Sequence, residues 1–244
     1  KKSRSKGKKS GSTGKKSRST KTSKSSKCTK GRNDSPSKVL ILASVPFPEF
    51  ADDVQAKLDS LNLFSQVDLI SGVNLATPDN EMLQEYDSVL VYSDTDFANR
   101  DTMGNVLAEY VDNGGCLSVA TFALSSPSLG LGGRFLTDGY LPVTQGPQDQ
   151  FTPLTLVPVL PDHPLLEAVT SFNGGTSSYH NIVTVVPGAT LVANWSNDLP
   201  LVVFKDHVVA LNFYPASSDA RDDFWDATTD GARLMANSLF CNKF

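Results

Sequence analysis

Side chains that could bind or activate a ligand follow several short apolar runs of the sequence. They include hydroxyl groups, two carboxylates and an aromatic ring. Ligands of parallel sheets bind beyond the carboxyl ends of the strands, so we predict that these side chains border one pocket. Their chemistry suits a sugar or another polyhydroxylated ligand. The residues are Ser44, Asp94, Asp96, Thr121 and Phe122.

Three more candidates for this pocket come from the second half of the chain. Tyr179 and His180 lie in GGTSSYHN, and Tyr214 closes the apolar run HVVALNFY. Asp94 or His180 could act as a general base if its pKa were suitably adjusted. A lone histidine in a loop rich in Ser and Tyr is more often an ordinary hydrogen-bonded residue. We therefore assign these side chains to ligand binding and name no catalytic residue.

The segment SSDARDDFWDATTD, residues 217–230, could carry a second kind of chemistry. Its spacing lacks the D-x-[DN]-x-[DN]-G pattern of a calcium loop, and we predict no metal site. We expect a terminal helix from about residue 222, capped by Ser218 or Asp219, with a solvated acidic face. In the alternative interpretation, Arg221 and Trp225 lie on the rim of the ligand pocket. The aspartates are Asp219, Asp222, Asp223, Asp226 and Asp230.

The elements that would position these residues alternate between apolar runs and amphipathic segments over residues 39–123. Strands that are apolar throughout and alternate with helices predict a mostly parallel sheet covered on both faces. The expected fold is thus a three-layer, doubly wound, flavodoxin-like α/β domain. Strands are predicted at 39–44, 67–71, 88–93 and 116–123, and helices at 50–64, 81–86 and 103–115.

The second half of the chain has a different pattern. Residues 124–150 are rich in Gly, Ser and Pro and are expected to form an insertion loop. Closely spaced apolar runs with turn residues between them then predict a β-rich second half. Its meander should return to the main sheet at HVVALNFY. These strands are predicted at 154–160, 181–187, 189–195, 199–205 and 207–214.

Basic and acidic residues are divided between two parts of the chain. Residues 1–38 hold 15 of the 22 Lys and Arg residues and contain no aliphatic or aromatic residue. This composition predicts a disordered tail. Residues 39–244 carry seven basic residues against 25 acidic ones, a net charge of −18, and are expected to form one domain. A basic tail therefore precedes an acidic domain.

The flexible polycation of residues 1–38 suits an anionic polymer or surface as a partner. Nucleic acid, acidic polysaccharide, anionic membrane and silicate all qualify. The Lys/Ser spacing of KKSGSTGKKS and KTSKSSK resembles segments of silaffin-type proteins. The alternative is a solvated linker without a specific partner. Binding of nucleic acid by the domain itself is disfavoured by its charge of −18.

The order VLIL, VDLI, YDSVLVY, LAEYVDNGG, CLSVA is similar to that of the class I glutamine amidotransferase-like superfamily. The resemblance is greatest to its trehalose-utilisation-protein-like (ThuA-like) branch, and VVALNFYP before a terminal helix fits the closing strand. It spans roughly residues 39–244. The ending SSDARDDFWDATTDGARLMAN is also similar to that of bacterial modules found in large exported proteins.

The resemblance also implies where amidotransferase chemistry would lie. The family has a nucleophilic cysteine after the fourth strand and a Phe-His-Pro-Glu run at the end of the closing strand. This chain reads Ala120-Thr121-Phe122-Ala123 and Phe213-Tyr214-Pro215-Ala216 there. Cys116 comes about five residues too early. Because the cysteine, histidine and glutamate are all replaced, we expect no glutamine hydrolysis.

Cysteine usage leaves two interpretations open. Cys28, Cys116 and Cys241 have no metal-binding spacing. Cys116 and Cys241 are small buried thiols in one interpretation and form a disulfide in the other.

The leading hypothesis is a non-catalytic module, extracellular or at the cell surface, that binds a carbohydrate-like ligand and uses no cofactor. No run approaches the roughly 18 apolar residues of a membrane span. Because the chain starts at Lys1 and not at Met, we expect that a preceding segment, such as a signal peptide, has been removed. One alternative is a ThuA-like enzyme acting on a sugar or sugar derivative. Another is a nuclear or nucleic-acid-associated protein that acts through its basic tail.

Overall fold

The computed structural model describes residues 37–243. The basic tail of residues 1–38 lies outside this range except for its last two residues. Its predicted disorder and its polyanion partner therefore stay predictions.

The first half of the domain alternates strands and helices as the sequence predicts. Three strands of this half, β1, β3 and β4, are buried over most of their length because both faces of the sheet are covered, whereas the edge strand β2 is only partly buried. In chain order the elements are β1 (Lys38–Ser44), α1 (Pro48–Ser60), β2 (Gln66–Gly72), α2 (Asn80–Leu83), β3 (Ser88–Ser93), α3 (Arg100–Asp112) and β4 (Cys116–Ala120).

The second half is richer in short strands. Two 3₁₀ turns, Pro164–Leu166 and Cys241–Lys243, complete it. The longer elements are α4 (Gly133–Thr137), β5 (Gln148–Asp149), β6 (Leu156–Pro158), β7 (His180–Asn181), β8 (Thr190–Trp195), β9 (Pro200–Lys205), β10 (Val208–Leu211) and α5 (Gly231–Ser238).

Eight strands form one mostly parallel sheet in the order β2-β1-β3-β4-β10-β9-β8-β6. The five strands from β2 to β10 run parallel, whereas β9, β8 and β6 are added antiparallel. This topology confirms the predicted doubly wound α/β fold, including the meander that returns to the sheet through β10. Strand order reverses between β1 and β3, which places the expected crevice beyond Ser44 and Ser93.

Two hydrophobic cores lie on opposite faces of the sheet. One includes buried residues of α1 and α5, and the other includes those of α2 and α3. Local signals fix the helix ends: the Asn99 side chain accepts hydrogen bonds from the first turn of α3. Gly114 follows that helix at φ +90°, a conformation that suits glycine.

Two predicted elements differ from the structure. The strand predicted at 181–187 shrinks to β7, which pairs with β5 outside the main sheet, followed by a single bridge between Val143 and Val185. The terminal helix begins at Gly231 and not near residue 222, so the prediction of an acidic helix face was wrong. Four of the aspartates instead bind side chains or backbone groups within the segment or in other parts of the fold, and residues 217–230 follow an irregular path.

Cys116 at the start of β4 and Cys241 near the C-terminus form a disulfide. The second of the two interpretations of these cysteines therefore applies. The bond closes a loop of 125 residues. None of the helices within residues 37–243 is long and apolar enough to cross a membrane.

Candidate functional site

Six aromatic side chains fill the space beyond the carboxyl ends of the central strands, and we call them the aromatic cluster. Tyr214, after β10, lies at the centre of this group and is almost fully buried. Its ring centroid lies 4.8 Å from that of Phe224, 5.8 Å from that of Tyr92 and 5.9 Å from that of Phe122. The members are Phe50, Tyr92, Phe122, Tyr179, Tyr214 and Phe224.

The aromatic cluster occupies the two places to which the family resemblance assigns a nucleophile and a histidine. Phe122 stands after β4, where its backbone N–H donates to Ser93, and Tyr214 stands after β10. The two rings face each other at an interplanar angle of 35°. The Phe122 ring has no group that could attack a carbonyl or take a proton. Burial raises the pKa of the Tyr214 hydroxyl well above its usual value, so this hydroxyl stays protonated at neutral pH.

Asp94 and Asp96 lie at the edge of the aromatic cluster but in different surroundings. The Asp94 carboxylate is half-buried and lies 3.5 Å from the Tyr214 hydroxyl. Burial raises its pKa, and the positive charge of Arg221 opposes that effect. Asp96 is exposed, and its carboxylate accepts the backbone N–H of Leu129. Asp94 is therefore the candidate whose environment is closest to that of a general base.

Ser44 and Thr121 are fully buried, and their hydroxyls are already engaged. Ser44 Oγ donates to the Asp96 carbonyl at 2.9 Å and accepts the Leu75 N–H at 3.2 Å. Thr121 Oγ1 donates to Asn212 Oδ1 at 3.1 Å. These two predicted ligand-binding residues anchor loops at the strand ends.

Arg221 covers the aromatic cluster from the solvent side. Its guanidinium lies 4.0 Å from the Phe224 ring centroid and 5.2 Å from that of Tyr179. It donates to Asp223 at 2.6 Å and to the Tyr179 hydroxyl at 2.6 Å. We call this contact the Arg221–Asp223 bridge. The bridge brings together Arg221 and Tyr179, which were predicted for the pocket, and Asp223, which was not.

Asp223 is the polar centre of that bridge. Its carboxylate also accepts hydrogen bonds of 2.8 Å from Ser177 and from the Tyr179 hydroxyl. Burial alone would raise the pKa of Asp223, but the hydrogen bonds from Arg221, Ser177 and Tyr179 lower it. The carboxylate is thus held in its charged form, and the bridge closes over the aromatic rings.

The two remaining predicted site residues lie deeper in the protein. His180 is 1% exposed; its Nδ1 lies 2.6 Å from the Ser178 carbonyl, and its ring packs 6.1 Å from that of Trp195. Trp225 is 2% exposed, and its Nε1 donates to the Pro215 carbonyl at 2.7 Å. Both side chains support the site from the core side.

Four of the five aspartates in residues 217–230 hold this irregular segment in place. Asp219 pairs with Lys57, and Asp223 belongs to the bridge. Asp226 accepts the Thr228 N–H at 2.9 Å, and Asp230 accepts the N–H groups of Thr170 and Ser171. Asp222 is exposed and makes no hydrogen bond or ion pair within residues 37–243.

An open groove of about 300 Å³ lies beside the aromatic cluster, and we call it the polar groove. It runs between the turn at residues 173–176 and the aspartate-rich segment. Phe224 lines both the groove and the aromatic cluster. Its lining is Pro153, Asn173, Gly175, Thr176, Ser218, Asp222, Phe224 and Asp226.

Backbone contacts fix the walls of the polar groove. The Asp226 N–H donates to the Asn173 carbonyl at 2.9 Å, and the Ser177 N–H donates to the Asp223 carbonyl at 3.2 Å. Gly175 adopts φ +75°, and a Cβ there would lie 1.8 Å from the Phe224 carbonyl oxygen. Only glycine fits this close approach, so residue 175 is required for the shape of the groove.

Sequence reasoning missed the polar groove because none of its lining residues follows a main-sheet strand of the parallel half. The available signal was the turn sequence Asn173-Gly174-Gly175-Thr176, which predicts a polar loop. Its meeting with residues 218–226 across the fold is invisible in one sequence. Among residues 37–243, no three His, Cys, Asp or Glu side chains are grouped to hold a metal ion.

No family model and no curated protein matches the sequence. Solved structures do match the fold. A ThuA-like protein from Bacteroides uniformis has a TM-score of 0.59 at 14% identity, covering 86% of this chain and 93% of its own. A GMP synthase protein from Thermoplasma acidophilum has a TM-score of 0.53 at 12% identity, with coverages of 84% and 95%.

A glutamine amidotransferase from Thermotoga maritima has a TM-score of 0.50 at 12% identity, covering 75% of this chain and 78% of its own. At such identities the likeness is one of fold alone. The chain therefore has the fold of the class I glutamine amidotransferase-like superfamily, including its ThuA-like branch.

Proposed function

We propose that this protein is a non-catalytic, exported or surface-associated module that binds a carbohydrate-like ligand in the polar groove. The single observation that supports this most strongly is the contrast at the strand ends. The places of nucleophile and base hold the packed rings of Phe122 and Tyr214, whereas an open groove lined by polar groups lies beside them.

The absence of catalysis is inferred from the chemistry of the replaced residues. A thiol hydrolase needs a thiolate and a base within hydrogen-bonding distance of each other. Cys116 lies at the opposite end of β4 from Phe122 and is bonded to Cys241. The aromatic cluster also leaves no room for a water molecule between Tyr179, Tyr214 and Phe224.

The polar groove has the features by which proteins bind sugars. Hydroxyls of Thr176 and Ser218, the Asn173 amide and two carboxylates can exchange hydrogen bonds with sugar hydroxyls. The exposed Pro153 supplies an apolar surface at the groove, whereas Phe224 is 3% exposed. A volume of about 300 Å³ lies at the lower end of the range of ligand sites and fits one or two sugar rings.

The disulfide between Cys116 and Cys241 supports an oxidising location outside the cytosol. We propose that residues 1–38, with 15 basic residues and one acidic residue, attach the module to an anionic polymer or surface. The acidic domain would then stand away from that surface because like charges repel.

Ligand binding is tested by titrating the full chain with a panel of neutral, acidic and amino oligosaccharides in a calorimeter. We expect at least one class to bind, and we expect the Asn173→Ala and Thr176→Ala variants to weaken that binding. Val73→Ala, at an exposed position after β2, is the control. If no member of the panel binds, the proposed ligand class is wrong.

The tail is tested by deleting residues 1–36 and measuring retention on heparin and on silica particles. We expect retention to be lost and the free energy of unfolding of the domain to change by less than about 0.5 kcal/mol. Unchanged retention would contradict the attachment role, and a large loss of stability would show that these residues belong to the folded domain.

A second candidate function, a ThuA-like enzyme acting on a sugar derivative, is favoured by one observation. Asp94 is a half-buried carboxylate with a raised pKa at the strand-order reversal. If the protein turns over any member of the oligosaccharide panel and Asp94→Asn abolishes that turnover, this candidate replaces the binding module.

A further inference from the structure

We infer that the polar groove selects ligands that carry a protonated amine, and that its ligand class is an amino sugar with free amino groups. This inference rests on the proposed function, because it names the ligand of the same groove. Three observations carry it: the charge of the groove, the engagement of the neighbouring cations and the mixture of hydroxyl and amide groups around the carboxylates.

The charged side chains that line the polar groove are both carboxylates, Asp222 and Asp226. Asp222 is exposed and makes no hydrogen bond or ion pair in the described part of the chain. Asp226 uses Oδ1 to accept the N–H and hydroxyl of Thr228, and these hydrogen bonds lower its pKa. Asp226 is therefore held in its charged form beside the groove, and the Asp222 carboxylate is free of protein partners there.

Two basic side chains that hold the aspartate-rich segment are already paired with other carboxylates. Arg221 is bound to Asp223 and to the Tyr179 hydroxyl, and Lys57 is paired with Asp219. A ligand that brings its own cation gains charge-assisted hydrogen bonds there. A neutral ligand would instead have to desolvate the carboxylates without that gain.

A sugar ring fits the rest of the groove better than a metal ion or a simple amine does. Two carboxylates are few for a calcium site, which needs six to eight oxygen ligands in a compact loop. Thr176, Ser218 and Asn173 add hydroxyl and amide groups that a bare cation would not use fully. The exposed Pro153 offers an apolar contact to the sugar.

The test uses two probes with the same sugar backbone, a glucosamine tetramer and its fully N-acetylated counterpart, in which neutral amides replace the protonated amines. Both are titrated into the full chain at about pH 6, where the amines are protonated. We expect the free-amine tetramer to bind about tenfold more tightly than the acetylated one. Its affinity should fall as the pH rises and the amines lose their charge, whereas that of the acetylated tetramer should not.

The Asp222→Asn variant should weaken this preference, since one of the two carboxylates is lost, without changing the fold, because Asp222 is exposed and makes no bond in the described structure. Glu109→Gln is the matched control. It removes one carboxylate from the exposed side of α3, a helix that packs on the opposite face of the sheet from Phe224. It should leave the preference intact.

The outcomes separate this inference from the proposed function. Equal binding of both tetramers overturns the amine preference and keeps a carbohydrate ligand, whereas no binding of either, or of any other glycan, overturns both. If a lysine-rich peptide of equal charge binds as tightly with the same dependence on Asp222, the groove recognises cations in general, and the amino-sugar assignment is wrong. The loss of binding in EDTA would indicate a metal-dependent site and contradict the inference too.

Discussion

The aromatic cluster and the polar groove share Phe224 but differ in how tightly their side chains are packed and hydrogen-bonded. In the cluster, six rings pack against each other, and the Arg221–Asp223 bridge closes the solvent side. In the groove, the Asp222 carboxylate has no partner within residues 37–243, and open space remains. The rings of the cluster are engaged in packing, whereas the Asp222 carboxylate in the groove is open to solvent.

This difference indicates which of the two regions has groups that a ligand can reach. Side chains that are fully packed and hydrogen-bonded stabilise the native state, and a ligand gains little from them. Polar groups at an open surface are hydrogen-bonded to water, and a ligand that replaces this water with its own hydrogen bonds is stabilised by a modest net free energy. The proposed function therefore assigns ligand binding to the groove beside the strand ends and not to the cluster at them.

The largest expected effect comes from opening the aromatic cluster. Tyr214→Ala removes the central ring, and we expect a loss of about 3–5 kcal/mol in the free energy of unfolding because a cavity remains among five other rings. Urea unfolding measures it. Tyr214→Phe keeps the ring and should lose less than about 1 kcal/mol. A small loss for the alanine variant would mean that this region is loosely packed and could admit a ligand.

The second-largest effect is expected from the disulfide, which lies at the end of β4 opposite the aromatic cluster. Reduction, or Cys241→Ser, should lower the free energy of unfolding by about 2–4 kcal/mol, because the bond closes a loop of 125 residues. Urea unfolding with and without a reductant measures this, and Cys28→Ser is the control. No change on reduction would show that the two sulfurs do not bond in solution.

The Arg221–Asp223 bridge should have an intermediate effect. Asp223→Asn leaves Arg221 without its charged partner, and we expect a loss of about 1–3 kcal/mol at neutral pH. Since the pKa of Asp223 is lowered in the fold, its contribution exists above the unfolded pKa of about 3.9. It is lost as the pH falls through the lower folded pKa.

Unfolding curves of the wild type and Asp223→Asn should therefore differ at pH 7, and the difference should shrink as the pH falls through the lowered pKa of Asp223 in the folded state. A difference that persists at low pH would mean that Asp223 acts through packing and not through its charge.

The fold was largely readable from the sequence because its signals are local and repeated. Runs such as VLILAS and SVLVYS are apolar throughout, as strands buried on both faces must be. Gly114 marks the end of α3. The terminal helix was misplaced because aspartates at spacings of four resemble a helical face, whereas in the fold Asp226 caps its own turn and Asp230 binds a distant loop. Tertiary contacts overrode that local pattern.

The site was only partly readable for the same reason. Strand-end rules placed Asp94, Phe122 and Tyr214 near one another, which the structure shows. The rules could not show that Ser44 and Thr121 are already hydrogen-bonded, nor that His180 and Trp225 face the core. Burial and partner choice depend on chain segments far apart in sequence, and so does the polar groove.

The smallest expected effect, at Asp222, decides whether the comparison holds. Asp222 and Asp223 are adjacent in sequence, but the first is exposed without a partner in the described range, and the second accepts bonds from three side chains. Asp222→Asn should change the free energy of unfolding by less than about 0.5 kcal/mol in urea unfolding at pH 7. If its loss equalled that of Asp223→Asn, the carboxylate would be part of the packed structure. It would then not be available to a ligand, and the groove would not differ from the cluster in this respect.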